Sequence, residues 1–302
     1  MTYSIVARDP QTGELGAAVQ SHWFSVGPIV PWAAPGVGAV ATQANVEVAY
    51  GPRGLELMEA GIAAEQALAK LIAEDPGAAG RQVAMVDAAG RVAVHTGEQC
   101  MPYAGHATGD GVSCQANIMR SDTVWPAMLH AFSSAEGSLA TRLLAALDAA
   151  EAEGGDLRGR QSAAILVVPA EGERWRKVVS LRVEDHPAPL PELRRLVQLH
   201  KAYALAAEGD ELVNQERHDE AAERFRRASE LAPGNDELLF WAGLGTAQSG
   251  DLDAGVAQVQ RAIDQHEGWR ELLERLSPQV SPSAAAVRAR LGSGTVASVA
   301  DE

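Results

Sequence analysis

The chain has 302 residues, 46% hydrophobic and 22% charged, with 29 Gly and 15 Pro. That is globular composition, long enough for a full core and two domains. The formal charge of −15 divides into −8 up to Leu190 and −7 beyond it, so neither half is a basic nucleic-acid module.

No apolar run approaches the roughly 18–20 residues of a membrane-spanning helix. The start, Met1-Thr2-Tyr3-Ser4-Ile5, has no basic-then-apolar leader. Two cysteines, Cys100 and Cys114, make no disulfide framework. A cytoplasmic protein with no membrane partner is expected.

In chain order, residues 3–8 and 14–20 read as a strand hairpin around Asp9-Pro10-Gln11-Thr12-Gly13. Residues 37–45 are a third strand. Leu55, Leu57, Met58 and Ile62 mark one helix, and Ala64 to Ile72 a second, stopped by Asp75-Pro76-Gly77. Strands at 82–87 and 91–96 flank Asp87-Ala88-Ala89-Gly90, and another strand is expected over 111–119. Helices follow at 122–133 and 138–152, then strands at 161–168 and from Trp175 to Val183. The order ββ–β–αα–ββ–β–αα–ββ suits two packed sheets between helical layers, not single-helix crossovers.

Three prolines within His186-Pro187-Ala188-Pro189-Leu190-Pro191 mark a domain boundary near residue 190, after which the pattern is helical. Gly209, Ala221, Phe225, Ala228 and Pro233 recur 34 residues later as Gly243, Gly255, Val259, Ala262 and Glu267. That is the tetratricopeptide period. It predicts an all-α tetratricopeptide-like domain over 191–276, with repeats at 202–235 and 236–269 and a helix at 269–276. Two repeats are too few to stand alone, so contact with the first domain, a second copy or a partner protein is expected. A loosely held tail is expected from Ser277 to residue 302.

Thr2 is the leading catalytic candidate. A threonine hydroxyl needs a base, and a threonine at the chain end carries one in its own α-amine, which titrates near neutrality. Removal of Met1 exposes it. Ser21 and His22 follow the second strand, where the hairpin returns beside the chain start; His22 would tune a proton and Ser21 contact substrate. Gln43 and Asn45 end an apolar strand and need polar partners. Asp156, Arg158, Arg160, Gln161 and Ser162 precede an apolar strand; they form either a structural ion pair or a clamp on a substrate carboxylate.

Other signals carry less. Gly36-Val37-Gly38-Ala39-Val40-Ala41 fits a dinucleotide pattern but opens no helix, so no cofactor is expected. The eight histidines are scattered and indicate no metal. Cys114, in an apolar strand, reads as a core residue. Trp23, Phe24 and Trp32 read as core packing, with a pocket wall as the alternative. Asp185-His186 reads as capping before the prolines.

Residues 1–190 resemble the DUF1028 family. The residues that carry the resemblance include Thr-Tyr-Ser-Ile-Val-Ala-Arg-Asp (2–9), Val-Gly-Pro-Ile-Val-Pro-Trp-Ala (26–33) and Gly-Val-Gly-Ala-Val-Ala-Thr-Gln-Ala (36–44). They also include Tyr-Gly-Pro-Arg-Gly-Leu (50–55), Gly-Gly-Asp-Leu-Arg-Gly-Arg-Gln-Ser-Ala-Ala (154–164) and Arg-Val-Glu-Asp-His-Pro (182–187). The resemblance implies an α+β fold, the four-layer αββα sandwich of the N-terminal-nucleophile (Ntn) hydrolases, and hydrolysis of amide bonds. Asn117 stands where the family has a Gly-Asn pair, and the resemblance implies an oxyanion donor there. Proteasome-like members of that superfamily place a lysine beside the nucleophile. Here the lysines are Lys70, Lys177 and Lys201, none in the first strands.

The expectation is an amidohydrolase for a small amide or acylated amino compound. Thr2, His22 and Asn117 are its catalytic candidates, and Ser21, Gln43, Asn45, Asp156, Arg158 and Gln161 its substrate contacts. The alternative is a catalytically silent domain that serves as a scaffold through its helical repeats.

Overall fold

The computed structural model describes residues 2–297, the last five through their backbone alone. Two compact units divide the chain, Met1–Val197 and Gln198–Glu302. Met1, whose removal the catalytic reading requires, and residues 298–302 lie outside the described residues.

The first unit is mixed α+β, with two antiparallel sheets. The first hairpin pairs β1 (Thr2–Arg8) with β2 (Leu15–Ser21). Asp9 builds its turn by accepting from the backbone N–H groups of Gln11 and Thr12 at 2.8 and 3.0 Å, and Gly13 supplies the positive φ. Next come β3 (Pro31–Ala34), β4 (Gly38–Ala44), α1 (Tyr50–Glu59) and α2 (Ala64–Glu74). They are followed by β5 (Arg81–Asp87), β6 (Val92–Thr96), β7 (Gly105–Gly109) and β8 (Val112–Asn117). Helices α3 (Val124–Ser134) and α4 (Leu139–Ala152) then lead to β9 (Ser162–Val168) and β10 (Val179–Val183).

One sheet has the order β10-β9-β2-β1-β8-β7 and the other β3-β4-β5-β6. The alternation of β1 separates its faces. Tyr3, Ile5 and Ala7 join Met128, Leu143 and Leu147 of α3 and α4 in one core. Val6, Ala17 and Val19 meet Ala39, Ala41, Ala84 and Val86 of the other sheet in a second. A third core joins the outer face of the smaller sheet, through Val40, Val83 and Met85, to Leu55, Met58, Leu68 and Leu71 of α1 and α2.

Two strands, β3 and β7, lie outside the sequence expectation. Both are edge strands. β3 is four residues long and opens on Pro31, which has no N–H for a ladder; β7 is Gly-His-Ala-Thr-Gly, poor in strand formers. β10 is shorter than expected, and Trp175 is 77% exposed.

The proline cluster is not a linker. Pro189 and Pro191 lie in the first turn of α5 (Pro189–Asn214), where a missing N–H costs nothing. His186 caps the approach by accepting from Ala188 N–H through Nδ1 at 3.0 Å. Leu190, Leu193 and Val197 belong to the core of the first unit, and the division between units falls within α5, seven residues beyond the expected place.

The second unit is helical. It continues through α6 (His218–Leu231), α7 (Asp236–Gln248), α8 (Leu252–Gln265), α9 (Gly268–Arg275) and α10 (Ala284–Ala297). A Cβ on Gly209 would stand 2.9 Å from Phe225, and one on Gly243 2.8 Å from Val259. The tail expected to be loose carries α10 instead, with Ala284 and Val287 buried against Phe240, Val259 and Leu273.

Candidate active site

Four strands of the larger sheet bring their ends to one place. In register, Thr2 stands opposite Ser21 on one side and Asn117 on the other, and Ser21 opposite Ser162. Across the gap, Gln43 pairs with Gln82, and Gln82 with Thr96. The space between the sheets is therefore apolar along most of its length and polar at this end.

The polar end is an amide network in which Gln43 Oε1 and Asn117 Oδ1 are left without a partner. Gln43 Nε2 donates to Gln82 Oε1 at 2.8 Å and reaches the carbonyls of Thr2 and Gln115, each at 3.3 Å. Asn117 Nδ2 donates to Gln82 Oε1 at 3.0 Å and to Thr2 O at 3.4 Å. Gln82 Nε2 faces Thr96 Oγ1, Gly105 O and Ala116 O at 3.0–3.1 Å. Gln115 donates to Ser4 Oγ at 2.6 Å and accepts from Ser113 Oγ at 2.9 Å. All of these glutamines and Asn117 are at most 1% exposed. The Thr2 carbonyl is thus gripped by two side-chain amides, which fixes the first residue of β1. Low surrounding polarity makes such a network stiff when satisfied.

Two backbone irregularities sit at the same place. Ala44, after Gln43, has φ +69°, and Ile118, after Asn117, has φ +57°. Left-handed backbone costs a residue with a Cβ about 1–2 kcal/mol, and for a β-branched side chain it is a true outlier. Both strands turn away sharply just past their amide residue.

Beside Thr2 lies a cleft of about 230 Å³, lined by Thr2, Ser21, Trp23, Val26, Ile29, Val30, Gln43, Ala44, Asn45, Val46 and Arg158. Thr2 is 7% exposed and its Oγ1 lies 3.0 Å from Ser21 Oγ. The wall formed by residues 23–30 is pinned by the buried Ser162, whose hydroxyl donates to Trp23 O at 2.5 Å and accepts from Val26 N–H at 3.1 Å. A second cleft, of about 320 Å³, lies across Ala44 and Asn45 and is lined also by Gly80, Gln99, Cys100, Met101, Asn117 and Ile118.

The expected site residues sort as follows. Thr2, Ser21, Gln43, Asn45 and Arg158 meet in the first cleft. Asn117 is next to Thr2, but both hydrogens of its amide are committed to the network, so it holds the Thr2 carbonyl rather than offering a donor to the cleft. Asp156 lies behind the cleft. It accepts from the backbone N–H groups of His22 and Arg158, each at 2.9 Å, and pairs with the Arg158 guanidinium at 3.3 Å. Arg158 and Asp156 thus form the ion pair that the first of the two readings expects. His22 joins through its backbone; its ring is outside the cleft lining, against Gly159. Gln161 points away, donating to Asp185 at 3.2 Å.

Gln82 and Gln115 escape sequence reading, although Ser113-Cys114-Gln115-Ala116-Asn117 carries the signal: three polar side chains on one face of an otherwise apolar strand. Trp23 was expected in the core but is 56% exposed on the cleft rim, and Phe24 beside it is 63% exposed. Cys114 is fully buried, and burial pushes its thiol far up, which leaves it inert. Among the described residues no group of His, Cys, Asp and Glu is placed to hold a metal, and no helix is long and apolar enough to cross a membrane.

Residues 2–193 match the family described as "Family of unknown function (DUF1028)". The crystal structure of protein SPO2555 from Silicibacter pomeroyi, itself assigned to DUF1028, is similar at 33% identity with a TM-score of 0.60, covering 65% of this chain and 88% of that one. No curated protein matches the chain.

Proposed function

The chain belongs to the DUF1028 family, whose function is unknown, and we propose from the cleft itself that it is an Ntn-type amidohydrolase with Thr2 as nucleophile. One observation carries the reading. Thr2 presents its hydroxyl at a cleft whose described lining includes no carboxylate, imidazole or lysine. Ser21, its hydrogen-bond partner, is too weak a base to deprotonate it. An α-amine on Thr2 itself is the base that the site then needs, with an ordinary pKa of about 7.7–8.0.

In this mechanism the amine takes the hydroxyl proton as Oγ1 bonds to the amide carbonyl carbon. The Ser21 hydroxyl, 3.0 Å from Oγ1, is a donor for the oxyanion. The amine returns the proton to the leaving nitrogen as the C–N bond breaks. Water then cleaves the ester, releasing the acid and restoring Thr2. Gln43 and Asn117 act as positioning residues through the Thr2 carbonyl. The two facing sheets with helix pairs on their outer faces support the αββα reading of the fold.

The helical unit is read as two tetratricopeptide-like repeats that dock a second copy or a partner protein. The equivalent contacts Gly209–Phe225 and Gly243–Val259, one period apart, support that reading.

The test has two parts. Intact mass should show Met1 removed. Replacing Thr2 with Ala should abolish hydrolysis of a panel of small amides while leaving the melting temperature close to that of the parent. A retained Met1, or an Ala variant as active as the parent, refutes the proposal.

A further inference from the structure

The walls of the Thr2 cleft differ in chemistry. One is apolar: Val26 and Val30 are almost fully buried, Ile29 and Val46 half-buried, and the exposed Trp23 closes the rim. Arg158 is the one charged side chain among the described lining residues, with its side chain 36% exposed. Asp156, its side chain wholly buried, holds Nε and Nη2 at 3.5 and 3.3 Å. The guanidinium is therefore fixed in orientation as well as in position. A rigid planar fork is the side chain best suited to a carboxylate.

We propose that the cleft takes an amide that also bears a carboxylate and a compact apolar side chain, the N-acylated form of an aliphatic amino acid. Arg158 pairs with the carboxylate, and the side chain lies along Val26, Ile29, Val30 and Val46. A volume of about 230 Å³ falls below the usual range for drug-sized ligands and excludes a long peptide within this cleft. This substrate class rests on the Thr2 reading for turnover, but its recognition does not.

The experiment measures binding to the full chain by calorimetry, with N-acetyl-L-leucine and its neutral primary amide as probes. Both the parent protein and a Thr2→Ala variant are titrated. The acid should bind both proteins about 10- to 100-fold more tightly than the neutral amide, the range of a charge-assisted hydrogen bond. Arg158→Met should erase that preference, and Arg158→Lys should restore part of it in a protein with the parent's melting temperature. Trp23→Ala, on an exposed rim position, should weaken both probes alike. Equal binding of the two probes, no binding of either, or an unchanged preference in Arg158→Met overturns the proposal. Turnover surviving in Thr2→Ala with the acid preference intact refutes the nucleophile and leaves this recognition standing.

Discussion

Replacing Gln82 with Leu tests whether the amide network holds the site together. Gln82 Oε1 is the acceptor shared by Gln43 and Asn117, and Nε2 offers two hydrogens to three acceptors. After substitution, Gln43 keeps two longer bonds at 3.3 Å, but Asn117 keeps only the Thr2 carbonyl at 3.4 Å. The carbonyls of Gly105 and Ala116 lose a side-chain donor. A stranded buried polar group costs about 1–3 kcal/mol. With one donor largely stranded and three groups weakened, the expected loss is about 3 kcal/mol. At about 2–4 °C per kcal/mol for a unit of this size, the melting temperature should fall by about 6–12 °C. Calorimetry on the full chain reads this directly, with the exposed Gln99→Leu as control. Hydrolysis by the Gln82 variant should fall even at temperatures where it stays folded, because Thr2 loses its fixed carbonyl. A shift under about 2 °C with unchanged turnover would refute the view that these amides position Thr2.

Three further outcomes follow from the same geometry. Ala44→Gly removes the left-handed strain at φ +69° and should stabilise the protein by about 1 kcal/mol in urea titrations. Burial alone would lift the Asp87 carboxyl, but the Arg91 backbone N–H and guanidinium and the Ala64 N–H hold it below the usual carboxylate range. Its contribution is therefore fully present above the unfolded value near 3.9 and is lost as pH falls through the lower folded value; acid unfolding of Asp87→Asn should show a shallower pH dependence over that window. Gly255 lies so close to α7 that a Cβ would stand 2.5 Å from Gly243 O. Gly255→Ala should destabilise the helical unit by about 1–3 kcal/mol, seen as an earlier loss of helical circular dichroism.

Much of the layout was legible in the chain because its central strands are buried on both faces and its hairpin turns are chemically explicit. What escaped sequence reading lies at the edges. β3 and β7 take their strand form from pairing with one well-formed neighbour, not from their own residues. The proline cluster lies at the start of α5, seven residues before the division between the units. Thr2, Ser21 and Gln43 were identifiable as strand-end polar groups. Gln82 was not, since its role depends on two partners from other strands. The bond from Gln161 to Asp185 is set by loop geometry that spacing alone does not encode.

The central position of β1 bears on the order of events during synthesis. Thr2 is paired to a strand 115 residues downstream, so at about 5–20 residues per second its neighbour emerges some ten seconds later. Until then Thr2 has no partner on that side of β1; once the sheet closes, it is 7% exposed. The candidate cleft is therefore assembled only by pairing between residues far apart in the chain, the slow kind of contact to form.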